Sequence, residues 1–288
     1  MKIGPISDEA FDLPEEIIEK YKIGVARFKI DLQELKNLPG NIYQKTREAE
    51  RRGIESVVKT SQPSINDFLS IFKEKLNEFE EVFCVTISSK LSGTYNAAVQ
   101  AKKFLQKEFQ DKVHVIDSLN GSAGQGLVVL KIIELAKRNL NSQEINNKIK
   151  EVIEKTKLLG MYHDPKWLKA SGRFPRFVPA IMEKAERMSI KPVFKMENGK
   201  LSVAGVKRNI IDLSSALFEE FDKATKKARR EGKKIIVGIT HADDISQATK
   251  LKEMILSLKN TEVAFINLTC FPIGGHIGPN SLILSWQE

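Results

Sequence analysis

The sequence predicts an α/β protein, with an N-terminal doubly wound parallel sheet domain followed by a smaller α+β domain. Three observations carry this. The segment 81–87 (EVFCVTI) is a nearly continuous run of apolar, β-branched and aromatic residues, as in a strand buried on both faces of a parallel sheet. Strand, loop and helix then alternate through the first half, as in βαβ units. Near residue 158 the pattern changes, and a hairpin signal with Asn198-Gly199 at its turn follows. The expected domains are residues 1–158 and 159–288.

Taken in order, residues 2–30 read as strand, loop, short helix and strand. Asp12 is the expected cap of that helix, Pro14 stands near its first position, and Glu15 and Glu16 lie in its first turn. Ile17, Ile18 and Tyr21 give it an apolar face. Residues 31–56 are polar and show no clear element. An extended piece and a turn cover 57–64, and a helix covers 65–79, with Phe68, Leu69, Phe72 and Leu76 at helical spacing. After the strand 81–87 come a helix over 95–108, a strand over 113–116, a Gly/Ser loop over 120–126, and helices over 127–138 and 142–157. The second half reads as a strand at 157–164, an interrupted helix, and a hairpin over 189–208. Helix, strand, helix and strand then follow over 209–268, with a glycine loop and a final strand after them.

The 288 residues carry 46 Lys and Arg against 37 Asp and Glu, a net charge of +9. The cations are spread along the chain, and the densest run, 223–234, reads as a solvated helix face. Aromatic residues make up 7%, too few for a surface of stacked bases, and no nucleic-acid recognition motif is present. Cys84 and Cys270 each lie in an apolar run and are expected as small buried hydrophobes without a disulfide. No Cys/His spacing suits a metal. With no signal segment and no apolar run near the roughly 20 residues a bilayer requires, the expected compartment is the cytoplasm.

Three loops hold candidate chemistry. The segment 88–94 (SSKLSGT) lies where a buried strand gives way to a helix, the place where doubly wound sheets bind ligands. Unpaired N–H groups of the helix, the Ser92 hydroxyl and a close backbone approach at Gly93 suit a carboxylate or phosphate. A simple capped helix is the ordinary alternative. Thr60 and Ser61 stand in a second such turn, where Ser64 is a plausible cap. Ser122 stands in a third, which lacks both the P-loop ending and the GxGxxG spacing. His276, in the glycine-rich segment 274–279, is a candidate donor to an anion. His114, His163 and His241 read as structural.

The segments KTSQPS, ISSKLSGTYNAA, VIDSLNGSAGQG, WLKASGRF, IKPVFKMENGKL and GGHIGP, in this order, resemble the signature segments of the DegV family of bacterial fatty-acid-binding proteins. They cover most of the chain from about residue 57. The resemblance implies an α/β domain and a smaller α+β domain with a fatty acid between them. It implies carboxylate binding by Thr60 and Ser92, with His276 and Arg208 near the carboxyl end, where they matter for phosphorylation by a fatty acid kinase. Ser61, Gly93 and Ser122 complete the candidate ligand-binding set. The tail is expected along 174–188, on Phe177, Val178, Ile181 and Met182, which ordinary core packing would explain equally well. The sequence departs from the family at Glu9, where a small hydroxyl is usual, at Asn280, and at Ser171-Gly172 before Arg173.

The implied protein is a lipid carrier and not an enzyme. It needs no cofactor besides the bound fatty acid and has no catalytic or metal residues. The expected partners are the fatty acid, a kinase subunit and, transiently, a membrane surface, but no nucleic acid. The alternative is a serine hydrolase using Ser92 and His276. Against it, the nucleophile elbow GxSxG is absent and no acid partner for the histidine is evident.

Overall fold

The computed structural model describes residues 2–31, 35–53, 60–138, 140–164, 167, 190–208, 210 and 212–288. Much of the interrupted helical stretch, including Phe177, Val178, Ile181, Met182 and Arg173, lies outside the described residues.

The first half contributes β1 (Ile3–Asp8), α1 (Glu15–Tyr21), β2 (Gly24–Ala26), β3 (Lys29–Ile30), α2 (Ile42–Arg51) and β4 (Thr60–Ser61). These are followed by α3 (Ile65–Glu78), β5 (Glu81–Thr86), α4 (Thr94–Lys103), α5 (Lys107–Gln110), β6 (Val113–Asp117), α6 (Ser122–Ala136) and α7 (Ser142–Lys155). Among the described residues β2, β1, β5 and β6 form, in that order, a parallel sheet. Along β5, Val82 and Cys84 join Phe68, Phe72 and Ala98 of α3 and α4. Phe83 and Val85 face the other way, toward Leu127, Val128 and Ile132 of α6. Helices thus cover both faces, so the strand sequence is apolar throughout rather than alternating.

The second half contributes β7 (Lys157–Met161), β8 (Ile190–Glu197), β9 (Lys200–Arg208), α8 (Leu213–Arg230), β10 (Ile235–His241), α9 (Ile245–Leu256), β11 (Thr261–Leu268), α10 (Phe271–Ile277) and β12 (Leu282–Gln287). The second sheet has the order β11-β10-β12-β7-β8-β9, with only β10 and β11 parallel. Leu159, Val237, Ile239, Leu284 and Trp286 bury one face under α8 and α9. The other face meets α6, where Phe265 joins the core of the first sheet. Helix α6 is buried on every side from Ser122 to Val129 and apolar over most of its length, with Lys131 and Glu134 reaching solvent near its end. Close passages at Gly126 against the Phe11 carbonyl and at Gly238 against Phe265 leave no room for a side chain at either position.

The hairpin β8–β9 forms as predicted. Asn198 (φ 51°) and Gly199 (φ 78°) both take left-handed backbone, as a two-residue type I′ turn demands. Four expectations are corrected. Asp12 does not cap α1; Pro14 occupies that position without a side-chain bond, and Asp12 turns inward. The stretch 31–56 contains α2, opened by a reciprocal capping box between Asn41 and Gln44. The Gly/Ser segment 122–126 is the start of α6, not a loop. The glycine segment 271–277 is helical, with Pro272 in its first turn, where a missing N–H costs no helical bond. The glycines there admit neighbours: a side chain at Gly274 would overlap the Tyr43 ring.

Candidate functional site

The carboxyl ends of β1, β5 and β6 meet the N-termini of α4 and α6. Unpaired N–H groups and the positive ends of helix dipoles collect there. The side chains at this end are polar and buried: Ser7, Asp8, Ser88, Ser118, Asn120, Ser122 and Gln125. Asp8 accepts from Ile87 N (2.7 Å), Ala10 N (3.0 Å) and Gln125 Nε2 (3.1 Å). Burial nevertheless raises its pKa to about 7, against the lowering effect of those donors.

Beside this cluster lies a cavity between the two sheets. Its volume is about 70 Å³, below the roughly 300–1,000 Å³ of small-molecule sites. Its wall is mostly apolar. Ile87 and Leu91 come from the end of β5, Leu158 from β7, Phe194, Met196 and Leu201 from the hairpin, Ile273 and Ile277 from α10, and Ile283 from β12. The strand alternation explains this lining. Ile283 and Leu158 point into the cavity, while Leu284 and Leu159 enter the core under α8 and α9. The hairpin tip closes one side, because Ser88 Oγ donates to the Gly199 carbonyl at 2.7 Å.

Among the described residues the polar exceptions in the wall are Ser92, Ser122 and His276, three of the residues selected from the sequence. Ser92 Oγ lies 2.8 Å from Thr94 Oγ1. Gly93 is the N-cap of α4, and the end of the flexible, exposed Gln62 side chain lies against it. Thr60 and Ser61 precede Gln62 in this strip and are not among the described residues that line the cavity. Thr60 is half-buried and pairs with Ile30, while Ser61 is exposed and pairs with Lys29. Arg208 stands apart. It pairs with Ile190 at the open end of the hairpin, roughly 20 Å along β9 from the cavity residue Leu201 at ~3.3 Å per residue.

Behind Ser122 is a buried polar chain absent from the sequence reading. Ser122 Oγ donates to Asp12 Oδ2 at 2.6 Å and lies 2.7 Å from Thr240 Oγ1. Asp12 also accepts from Cys270 N at 2.8 Å, ahead of α10. Burial raises the Asp12 pKa to about 6. Burial and then Asp12 itself push the Cys270 thiol well up. Both cysteines are free thiols, Cys84 fully buried and Cys270 partly so.

Two more contributors lie in the polar stretch near the N-terminus. Glu9 accepts from Phe28 N at 3.0 Å and pairs with Arg27 at 3.7 Å, which sets Phe28 in the cavity wall. Helix α2 braces α10 and its surroundings: Tyr43 lies against Gly274 and its Oη donates to the Thr269 carbonyl at 2.5 Å, and Arg47 pairs with Asp243 in the turn after β10. The Asn-x-x-Gln spacing at 41–44 was the available signal for that helix. Among the described residues no helix is long and apolar enough to cross a membrane.

A family model described as "Uncharacterised protein, DegV family" matches residues 2–288. A DegV domain-containing protein of Clostridium perfringens is 30% identical over 100% of this chain and 99% of its own. A fatty acid-binding protein of Thermotoga maritima is 28% identical over 98% of this chain and 96% of its own. Among solved structures, a DegV family protein from Thermus thermophilus, described for its fatty acid binding, superposes with a TM-score of 0.85 at 25% identity, covering both chains fully.

Proposed function

Since the chain belongs to the DegV family, we propose that it is a carrier for a long-chain fatty acid and carries out no chemistry on it alone. The observation that carries this reading is the cavity, whose wall among the described residues is apolar except for two hydroxyls and one imidazole. Such a wall suits a long hydrocarbon with one anionic end. In this reading the ligand lies between the halves 1–158 and 159–288. The Thermotoga and Thermus relatives, named for fatty acid binding, support it.

The carboxylate is placed on Thr60 and Ser92, with the N–H groups at the start of α4 near Gly93 and with Ser61 beside them. A buried carboxylate requires such donors, and bonds to an ionised group are the stronger kind. His276 adds a further donor in the wall. Ser122 adds a second hydroxyl to the same wall. Arg208, on the exposed end of the hairpin, is assigned to the surface that meets a fatty acid kinase, where the presented carboxyl group would become an acyl phosphate. We assign the protein to the cytoplasm, with transient contact at a membrane when the lipid is taken up, and with no cofactor, metal or nucleic acid.

A serine hydrolase is disfavoured by the state of Ser92. Its hydroxyl bonds to Thr94, and its backbone is not among the left-handed non-glycine positions, unlike the strained turn of a nucleophile elbow. The test is mass spectrometry of the organic extract from protein purified from bacteria. Stoichiometric fatty acid, reduced in Thr60→Ala and Ser92→Ala, is the expected result. Protein that is free of lipid and takes up none would overturn the reading.

A further inference from the structure

The cavity-lining hydroxyl of Ser122 is tied to a buried acid, and the direction of that bond bears on what the cavity can hold. Ser122 opens α6 with a left-handed φ of 50° and is 1% exposed. Its Oγ has two neighbours, Asp12 Oδ2 at 2.6 Å and Thr240 Oγ1 at 2.7 Å. A hydroxyl has one proton and two lone pairs. An ionised carboxylate can only accept, so ionised Asp12 accepts a hydrogen bond from the Ser122 hydroxyl, and Thr240 then donates to Ser122. In that state Ser122 has no donor for a ligand. When Asp12 is protonated it can donate to Ser122 Oγ, and the Ser122 proton is free to turn toward the cavity.

We propose that Asp12 is a positioning residue that sets the direction of the Ser122 hydroxyl, so that loading of the acid ligand takes up one proton at Asp12. This rests on the carrier reading above. The electrostatics point the same way. A second carboxylate entering a cavity that borders Asp12 disfavours two negative charges in a poorly hydrated space. The groups facing Asp12 do not offset this. Its own turn contributes Glu9, an acid whose nearest cation, Arg27, is 3.7 Å from it. The start of α10 contributes the Cys270 N–H and thiol, α6 and β10 contribute the neutral Ser122 and Thr240, and α2 contributes the Tyr43 phenol. No Lys or Arg side chain bonds to Asp12 among the described residues. Burial brings its pKa to about 6, near the pH at which such a proton can be exchanged.

The direction of the pH effect follows. If the binding-competent state has Asp12 protonated, affinity is highest below about pH 6 and falls by up to about tenfold per pH unit above it, as the competent fraction shrinks. The experiment is calorimetric titration of oleate into the full chain between pH 5.5 and 8, in two buffers of different ionisation enthalpy, for wild type, Asp12→Asn and Ser122→Gly. Asparagine tolerates the left-handed φ of 51° at position 12, and glycine suits position 122. Expected are proton uptake by the wild type approaching one per oleate near pH 7, and a flatter affinity profile with little uptake in both variants. The wild-type uptake alone tests the idea should a variant fold poorly. Tight oleate binding by the wild type without proton uptake would overturn this proposal and leave the carrier reading intact. Equal pH profiles in wild type and Asp12→Asn would also overturn it. Absence of binding at every pH would overturn both.

Discussion

The two ends of the parallel sheet are built from the same strands, yet their side chains have opposite character. At the carboxyl ends the polar groups are buried and mostly uncharged or acidic: Asp8, Asp12, Ser88, Ser122 and Gln125. At the amino ends they are mostly basic and near solvent. Lys2 lies 4.9 Å over the Phe79 ring and Lys137 4.6 Å over the Tyr21 ring, and Lys22 pairs with Glu78 at 3.3 Å. The helices explain this division. Helices α4 and α6 start at the carboxyl end, where N–H groups and positive dipole ends tolerate acids and invite an anion. Helices α1 and α6 finish at the amino end, where free carbonyls favour lysines. The carboxyl end therefore gathers buried polar groups beside the apolar cavity, and the amino end gathers cations around a more open pocket lined by Lys2, Lys20, Lys22 and Lys137.

The largest expected effect sharpens the carboxyl side of this contrast. A hydrogen bond to a charged group contributes roughly 1.5–3 kcal/mol. Thr60→Ala or Ser92→Ala should each weaken fatty acid binding by about ten- to a hundredfold, and the double variant by on the order of a thousandfold. Displacement of a fluorescent fatty acid measures this. Thermal unfolding should change little, because Ser61 and Thr60 lie near the surface and Ser92 bonds only locally. A double variant that binds as well as the wild type would place the carboxylate elsewhere.

The next effect concerns the buried acids. Asp8 has a folded pKa near 7 against 3.8 for the free group. The folded state therefore holds a proton that the unfolded chain has lost across that interval. Its contribution is fully present below about pH 4 and is lost as pH rises through 7. At about 1.4 kcal/mol per pKa unit, this amounts to a few kcal/mol. Stability measured by urea unfolding should decline from pH 4.5 to 7.5, with Asp12 adding to the slope. Asp8→Asn should flatten the decline. A profile that rises over this interval, with wild type and variant parallel, would refute the assignment.

A smaller effect tests the brace on α10. Gly274→Ala forces a methyl into the Tyr43 ring and should lower stability by about 1–3 kcal/mol through overpacking. Tyr43→Phe removes only the bond to the Thr269 carbonyl and should cost about 1 kcal/mol. Combining them should be less than additive, because both act on one contact. Additive losses by chemical denaturation would separate the two.

The same contrast shows why some of the molecule could be read in the sequence and some could not. Strand β5 was legible because burial on both faces leaves a continuous apolar run, and the hairpin because Asn198-Gly199 fits few other turns. Helix α10 was not, since its glycines read as a loop until Tyr43 is seen to occupy the space they leave. Asp12 read as a cap from its place before Pro14, but it is drawn inward by donors at Ser122 and Cys270, more than a hundred residues away. Ser92, Ser122 and His276 were each weak alone. The resemblance joined Ser92 to His276 but gave Ser122 no role, and only the fold shows all three on one cavity wall. That wall draws on separate strands and helices, so no local pattern could reveal it. Glu9, a departure from the family segment, is explained by its bond to Phe28 N.

The smallest expected effect is the control on the amino side. Replacing Lys20, Lys22 and Lys137 together with Gln removes an exposed ion pair and two contacts over Tyr21. Exposed pairs contribute about 0–1 kcal/mol and are weakened by salt. The triple variant should unfold within about 1 kcal/mol of the wild type, with the difference shrinking at high salt. Tyr21, whose phenol is held below its usual pKa first by the bond from Lys137, should titrate higher in the variant, and ultraviolet absorbance of the phenolate reads this directly. Fatty acid affinity should stay unchanged, because these lysines lie at the opposite end of the strands from Ser92 and Ser122. A marked loss of affinity in this variant would mean that the amino end also communicates with the cavity, and the division between the two ends of the sheet would fail.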